Sequence, residues 1–234
     1  MAREPVEPES TRVRFPNPRR APRDVIAVGT DFRPGTLLTA YRAGIFPWPQ
    51  SARGDEEEVV GWFSPDPRAL LPLDTLDWSR SLKRTLRKHP FRITIDTAFE
   101  QTMRACGKDR EEGTWITPDV IAGYTKLHEL GWTHSLEVWE PDSAELVGGI
   151  YGVAIGASFA AESMFHRRTD ASKIAFATLA ERLRDAGYLL FDAQVQNPHL
   201  ASLGCVRVKR SVYLDRLARA IETRPRVNVW ASDP

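Results

Sequence analysis

Between residues 135 and 195 the chain follows one pattern that leaves few architectures open. Strand-like runs at 135–139, 145–155 and 158–165 are separated only by short turns, one of them Pro141-Asp142-Ser143, and read as a meander. A helix then runs from a cap at Asp170 to Gly187, and a buried-type strand over 188–195 follows it. A meander, a helix and a returning strand require a mixed sheet with helices packed on it, which makes the class α/β or α+β. The length suffices: 234 residues can bury a core without disulfide or metal staples, and admit one or two domains.

Upstream the pattern is looser. Residues 1–24 are rich in Pro, Arg and Glu without periodicity and read as a loose lead-in that packs only partly on the body. Leu37, Leu38 and Tyr41 recur at helical spacing behind Pro34, and Gly44 stands where a helix would stop. The stretch GIFPWPQ, residues 44–50, reads as an apolar turn-rich loop carrying Phe46 and Trp48, and 59–63 as a short strand. The turn Ser64-Pro65-Asp66-Pro67-Arg68 divides the chain into a small N-terminal domain, 1–64, and a larger one, 65–234. Beyond it come a helix over 79–88, a strand over 91–95, and a helix opened by Thr97 and Glu100 in a capping-box spacing. A further helix is bracketed by Thr117-Pro118 and Gly131, and a last one covers 211–221.

Composition closes off several function classes. Hydrophobic residues at 42% and charged ones at 27% exclude a disordered, collagen-like or coiled-coil chain. Lys and Arg number 32 against 31 acids, so any basic surface is local rather than a field of the whole molecule. No apolar stretch approaches the roughly 18 residues that span a bilayer, and MAREPVEPESTRVRF carries charges and prolines where a signal peptide is apolar. The expectation is a cytoplasmic protein with no membrane partner. Cys106 and Cys205 form no CxxC pair, the five histidines show no HExxH spacing, and no metal site is expected. GGIYGVAIG, residues 148–156, lies within a strand pattern and lacks the strand-to-helix placement of a phosphate loop.

Three groups of residues could carry chemistry. Arg80, Lys83, Arg84 and Arg87 fall on one stripe of a helix, with Lys88 and Arg92 beyond and no acid from 79 to 92. Such a stripe can track phosphates, or can be a solvated face with Leu82 and Leu86 turned inward. Trp48, and Trp115 in EEGTWIT just before the helix that carries Tyr124, could stack on a nucleobase or simply fill a core. In ASFAAESMF, alternation gives Glu162 the face of Ser158, Ala160 and Met164, and gives Phe159, Ala161, Ser163 and Phe165 the other. In YLLFDAQV, Asp192 and Gln194 sit two apart and project side by side. A carboxylate in so apolar a strand is costly alone, so it marks either a site or a buried network with a basic partner.

GIFPWP, WFSPDPRA, SRSLKR, DREEGTWIT, YTKLHELGWTHSLEVW, LVGGIYGVA, ESMF, DASK and FDAQVQNPHLASLG occur in this order. Together they closely resemble the leucyl/phenylalanyl-tRNA–protein transferases of bacteria, from about Asp31 to the last helix; GTDF at 29–32 and Phe63 depart from the usual family residues. The resemblance implies a small N-terminal domain and a C-terminal domain of acetyltransferase-like (GNAT) fold used without coenzyme A. It implies transfer of Leu or Phe, less often Met, from aminoacyl-tRNA to the α-amine of a protein beginning with Arg or Lys, which marks that protein for degradation. Neither a cofactor nor a metal is implied, because the aminoacyl ester is already activated, and the partners are tRNA and protein, not DNA.

By the same resemblance Trp48, Trp115 and Tyr124 surround the terminal adenosine, and the helix with Lys83, Arg84 and Arg87 takes the tRNA acceptor end. Ile150, Phe159, Met164, Phe176, Leu179 and Phe191 form the amino-acid pocket. Glu162, Asp192 and Gln194 match catalytic and acceptor-binding groups, with Asn197 nearby. An α-amine has a free pKa of about 7.7 to 8.0, so a strong base is unnecessary. An amide is a very poor base, so Gln194 is expected to orient the amine, with Asp192 as proton sink or electrostatic partner and Glu162 facing the acceptor's cationic residue. Two other readings remain: a peptidoglycan-branching aminoacyl transferase, although those chains are longer with duplicated domains, and a module that only binds the tRNA end.

Overall fold

The computed structural model describes residues 4–49, 60–88, 91–108 and 116–231. After a short 3-10 turn at Pro18–Arg20 come β1 (Val25–Val28), α1 (Pro34–Arg42), β2 (Phe46–Pro49) and β3 (Val60–Phe63). The next elements are β4 (Arg68–Leu71), α2 (Arg80–Lys88), β5 (Arg92–Ile95), α3 (Phe99–Gly107) and α4 (Pro118–Glu129). Then follow β6 (Thr133–Trp139), β7 (Leu146–Ile155), β8 (Ser158–His166), α5 (Ala171–Asp185) and β9 (Leu190–Gln194). The chain closes with α6 (Pro198–Ser202), β10 (Val206–Val208) and α7 (Arg210–Glu222). β1, β3 and β2 form a small antiparallel sheet, and a mixed seven-stranded sheet runs β10-β4-β9-β8-β7-β6-β5. The protein is thus of mixed α/β class, a small N-terminal domain preceding a mixed sheet with helices.

The meander and its crossover explain the central sheet. β6, β7 and β8 pair antiparallel, and α5 carries the chain back so that β9 lies parallel to β8. α5 packs on one face with Val147, Ile150, Phe159, Phe176 and Phe191. The other face buries Tyr151 and Val153 with Ile121 of α4, Leu37 of α1 and Phe46 of β2. Gly44 ends α1 at φ 75°, as its position suggested.

Several local expectations are corrected. GIFPWP is not a loop: residues 46–49 pair with β3 as an edge strand, a place where proline costs no ladder bond. β4 begins at Arg68, inside the expected turn, and is buried between β9 and β10. Thr97 does not cap α3, whose N-cap is Ala98; the Thr97 hydroxyl donates to Ile95 O, and Glu100 pairs with Arg104. Asp170 stands at the N-cap of α5 in left-handed conformation and holds Lys173 instead of a backbone N–H. The described part of the lead-in packs on the body: Val6 N donates to Leu130 O at 2.8 Å, and Phe15 packs on Trp62 at 5.0 Å. Arg210 reaches Ala21 O at 2.6 Å, and Gly35 admits Glu9 O so closely that a Cβ there would lie 2.1 Å away. Its order comes from donors and acceptors far along the chain, which local composition does not reveal.

Candidate active site

β8 and β9 pair only through Ser158, Phe159 and Ala160 against Leu190, Phe191 and Asp192. Beyond that point they part, and each carries an irregularity where it does so. On β8, Tyr151 faces Ser163 while Gly152 faces Ala161, so Glu162 is an extra residue in the ladder. On β9, Ala69 faces Gln194 while Leu70 faces Asp192, and Gln194 takes φ 61°. A left-handed glutamine costs roughly 1–2 kcal/mol, so the surroundings must hold it there.

A cavity of about 250 Å³ opens between the parted strands. Ile150, Met164 and Phe176 line its apolar side, Glu162, Ser163, Gln194 and Asn197 its polar side, and Trp48 its rim. Simple alternation had set Met164 opposite Phe159. The extra residue at Glu162 reverses the parity, so Met164 and Phe159 contribute to the same apolar cluster, and Phe165 moves to the opposite one. Phe159, Leu179 and Phe191 do not line the cavity. They are fully buried behind it, with Phe191 5.0 Å from Phe176 and 5.5 Å from Phe159.

The polar wall is a connected network. Gln194 Nε2 donates to Glu162 Oε1 at 2.6 Å, and the Tyr124 hydroxyl donates to Glu162 Oε2 at 3.3 Å. Tyr124 is wholly buried and shares a short hydrogen bond with Tyr41, so it acts from behind Glu162 and presents no open ring face. Burial pushes the Glu162 carboxyl up to about 8, the nearby Asp192 charge adding to the rise, while the hydroxyls of Tyr41 and Tyr124 and the Arg68 cation oppose it. Asp192 and Gln194 are linked but do not project side by side, because the turn at Gln194 breaks the extended geometry. Asp192 turns to Arg68 and Tyr213, and its Oδ1 accepts the Gln194 backbone N–H at 2.9 Å. Asp192 is one percent exposed, and each of its oxygens accepts two hydrogen bonds.

The remaining expected residues are distributed around the opening. Trp48 is 39% exposed and meets Phe46 edge-on at 6.0 Å, so it leaves much of its surface at the cavity rim. Trp115 lies outside the described residues. Asn197 Oδ1 caps α6 by accepting Leu200 N at 2.8 Å. Arg84 and Arg87 stand exposed on α2, but Lys83 pairs at 2.6 Å with Asp77, an acid just ahead of the stripe. Asp96, His128 and His134, residues of no recognisable spacing, also meet in space. They hold one another and the backbone, with His134 Nδ1 2.7 Å from Asp96 and His128 Nδ1 2.7 Å from Thr133 O, away from the cavity. Arg68, Tyr213 and Tyr41, to which the sequence reading assigns no role, join this network through Asp192 and Tyr124. An arginine heading an apolar run was the available signal for the first.

Known proteins resemble this chain over most of its length. The family model described as leucyl/phenylalanyl-tRNA protein transferase matches residues 70–218, and that of the family's N-terminal domain matches 30–66. A leucyl/phenylalanyl-tRNA--protein transferase of Enterobacter sp. (strain 638) is 46% identical over 93% of this chain and 92% of its own. One from Shewanella woodyi is 45% identical over 93% and 91%, and one from Anaeromyxobacter dehalogenans (strain 2CP-C) 48% over 89% and 88%. With nearly half of the residues shared along almost the whole length, the chain belongs to the leucyl/phenylalanyl-tRNA–protein transferase family.

Proposed function

We propose that the protein transfers Leu or Phe, and less often Met, from the 3′ end of aminoacyl-tRNA to the α-amine of proteins that begin with Arg or Lys. The new N-terminal residue then directs the acceptor to degradation in the cytoplasm. The observation that supports this most is the joining, at one point of the sheet, of an apolar cavity with the Glu162–Gln194 pair. A charged side chain on the apolar side of that cavity would lie against Ile150, Met164 and Phe176 without a partner there, whereas an apolar one of a few carbons is matched. The parting of parallel β8 and β9 around the cavity is what a GNAT-like domain over 65–234 would provide, with 1–64 as the small domain that presents Trp48.

In this reading Trp48, with Trp115, stacks on the terminal adenosine, and exposed Arg84 and Arg87 of α2 meet acceptor-stem phosphates. The amine nitrogen attacks the ester carbonyl carbon; the amide bond forms as the ester C–O bond breaks and the ribose oxygen leaves. Because Nε2 of Gln194 is committed to Glu162, the amide offers its Oε1 to an amine N–H. Glu162, raised to about 8, is matched to an α-amine of about 7.7 to 8.0, so it can take the amine proton and return it to the departing ribose oxygen. Most of the acceleration then comes from holding two bound substrates in register. The test is release of labelled leucine from tRNA into an Arg-starting peptide, with an Asp-starting peptide as control. Label in the first peptide alone is expected; tight tRNA binding without labelled peptide would reduce the protein to a tRNA-end binder.

A further inference from the structure

Arg68 is buried to one percent exposure, yet no step of the transfer chemistry above uses it. Its Nε and Nη2 donate to Asp192 Oδ1 and Oδ2 at 2.8 and 2.6 Å. Nη2 also donates to the Tyr213 hydroxyl at 3.1 Å, and Nη1 to the Gly44 carbonyl at 3.2 Å. The guanidinium lies over two rings, Phe46 at 4.5 Å and Tyr213 at 4.3 Å. A planar fork held this way has a fixed place and orientation, which the single rotating ammonium of lysine does not supply.

Stability alone does not account for the pair. Desolvation of two buried ions offsets most of their attraction, and well-packed apolar residues of similar volume often serve as well or better. Apolar residues, however, could not present a fixed oxygen to the backbone N–H of Gln194, which Asp192 Oδ1 does at 2.9 Å. That bond closes the left-handed turn, and the turn aims Gln194 Nε2 at Glu162. The Gly44 and Phe46 contacts tie the same guanidinium to the strand that carries Trp48.

We infer that Arg68, supported by Tyr213, is a positioning residue of the transfer reaction: it holds Asp192 as the fixed acceptor that sets the turn of Gln194, and locks that turn to the Trp48 strand. The inference rests on the transfer reading and adds the part of the chain that aligns the amine-binding amide with the cavity rim. Asp192 is faced by Arg68 from β4, Tyr213 from α7, Glu162 from β8 and Cys205 from the approach to β10. Of these only Arg68 is a cation, so without it the buried carboxylate is driven to take up a proton.

The test compares wild type, Arg68→Met, Arg68→Lys and the Arg68→Met, Asp192→Asn double variant. Each is followed by single-turnover transfer of labelled leucine to an Arg-starting peptide and by melting temperature, both as functions of pH. Arg68→Met is expected to slow the bound complex about 10²-fold, the cost of a misplaced reacting group. Its rate should recover with rising pH through an ionisation that wild type lacks. Its melting temperature should fall over the same rise, because the folded state of this variant prefers protonated Asp192. The double variant should lose both of these pH dependences. Arg68→Lys should show no added ionisation yet stay slower than wild type by on the order of tenfold, because the charge remains and the fork does not. Arg68→Met profiles parallel to those of wild type, or a full rate in Arg68→Lys, would overturn the inference. Should Arg68→Met not fold, Tyr213→Phe replaces it: a several-fold slower transfer at unchanged charge supports the inference, and a full rate overturns it. If wild type itself makes no labelled peptide, the transfer reading has failed and the catalytic half of the inference falls with it, while the melting profiles still decide whether Arg68 holds the Asp192 charge.

Discussion

Glu162 and Asp192 sit on neighbouring strands on either side of the point where the sheet opens, Asp192 fully buried and Glu162 half-buried in the cavity wall, and they meet different partners. Asp192 receives the fork of a guanidinium, a tyrosine hydroxyl and a backbone N–H. Among the described residues Glu162 receives neutral donors, the Gln194 amide and the hydroxyls of Tyr124 and Tyr41, with the Asp192 charge close by and the Arg68 cation acting without a hydrogen bond. The difference teaches that burial does not by itself assign a carboxylate its role. The partner does: a cation makes Asp192 a fixed post, and neutral donors leave Glu162 with a proton that is easily gained and lost near neutral pH.

Stability should separate the two most sharply. Asp192→Ala strands Arg68 as a buried, unpaired cation, which costs about 3–5 kcal/mol, to be read from the denaturant midpoint at constant slope. A loss below about 1 kcal/mol would place Arg68 in contact with water and dissolve the contrast. Glu162→Gln should fold well but lower single-turnover transfer about 10²-fold. In wild type the rate should rise with pH through about 8, since the base must be ionised, and that limb should vanish in the variant. Stability runs the other way: the Glu162 contribution is full below the unfolded value and is lost as pH rises through about 8, so wild type should soften over that window and Glu162→Gln should not. An identical pH–rate limb in the variant would return the proton to another group.

Smaller effects sharpen the comparison from its edges. Met164 shares the cavity with Glu162, and Met164→Ala should move the Phe to Leu ratio of kcat/KM toward Phe by about 1–3 kcal/mol, measured in competition. An unaltered ratio would show that the parity reversal at the bulge does not bring Met164 to the transferred side chain. The exposed arginines of α2 provide a third electrostatic setting, charge in water. Arg84→Ala and Arg87→Ala should each flatten the slope of log K against log salt for tRNA binding by about 0.7–0.9, and equally for every esterified amino acid. Lys83→Ala should do less, because Asp77 already partners that ammonium. Unchanged slopes would make α2 an ordinary solvated face.

Much of this was legible in the residues themselves. The meander, α5 and β9 follow from runs of apolar residues and their punctuation, and α4 begins at Thr117, whose side chain accepts Val120 N as its N-cap position suggests. The parts that escaped are short or depend on distant partners. β1, β4 and β10 have three or four residues each, too few for a period to declare itself, and they exist because a neighbouring strand completes their hydrogen bonds. The lead-in is ordered by the same logic, through Leu130, Trp132 and Arg210.

The site divides along the same line. Sequence alone determined the class of the sheet, the family resemblance, and the presence of Glu162, Asp192 and Gln194 on apolar strands, because side-chain type and spacing are local properties written into the chain. Tertiary structure alone decided that Met164 and Phe159 share a side, that Tyr124 stands behind Glu162, and that Asp192 answers to Arg68 across 124 positions of sequence. The physical reason is that one extra residue in a strand inverts every side chain beyond it, and a bulge is fixed by the ladder opposite, not by the residue that bulges. The charge state of a buried carboxylate is likewise a property of what the fold brings within hydrogen-bond reach, and that contact appears only when β4, β9 and α7 have packed.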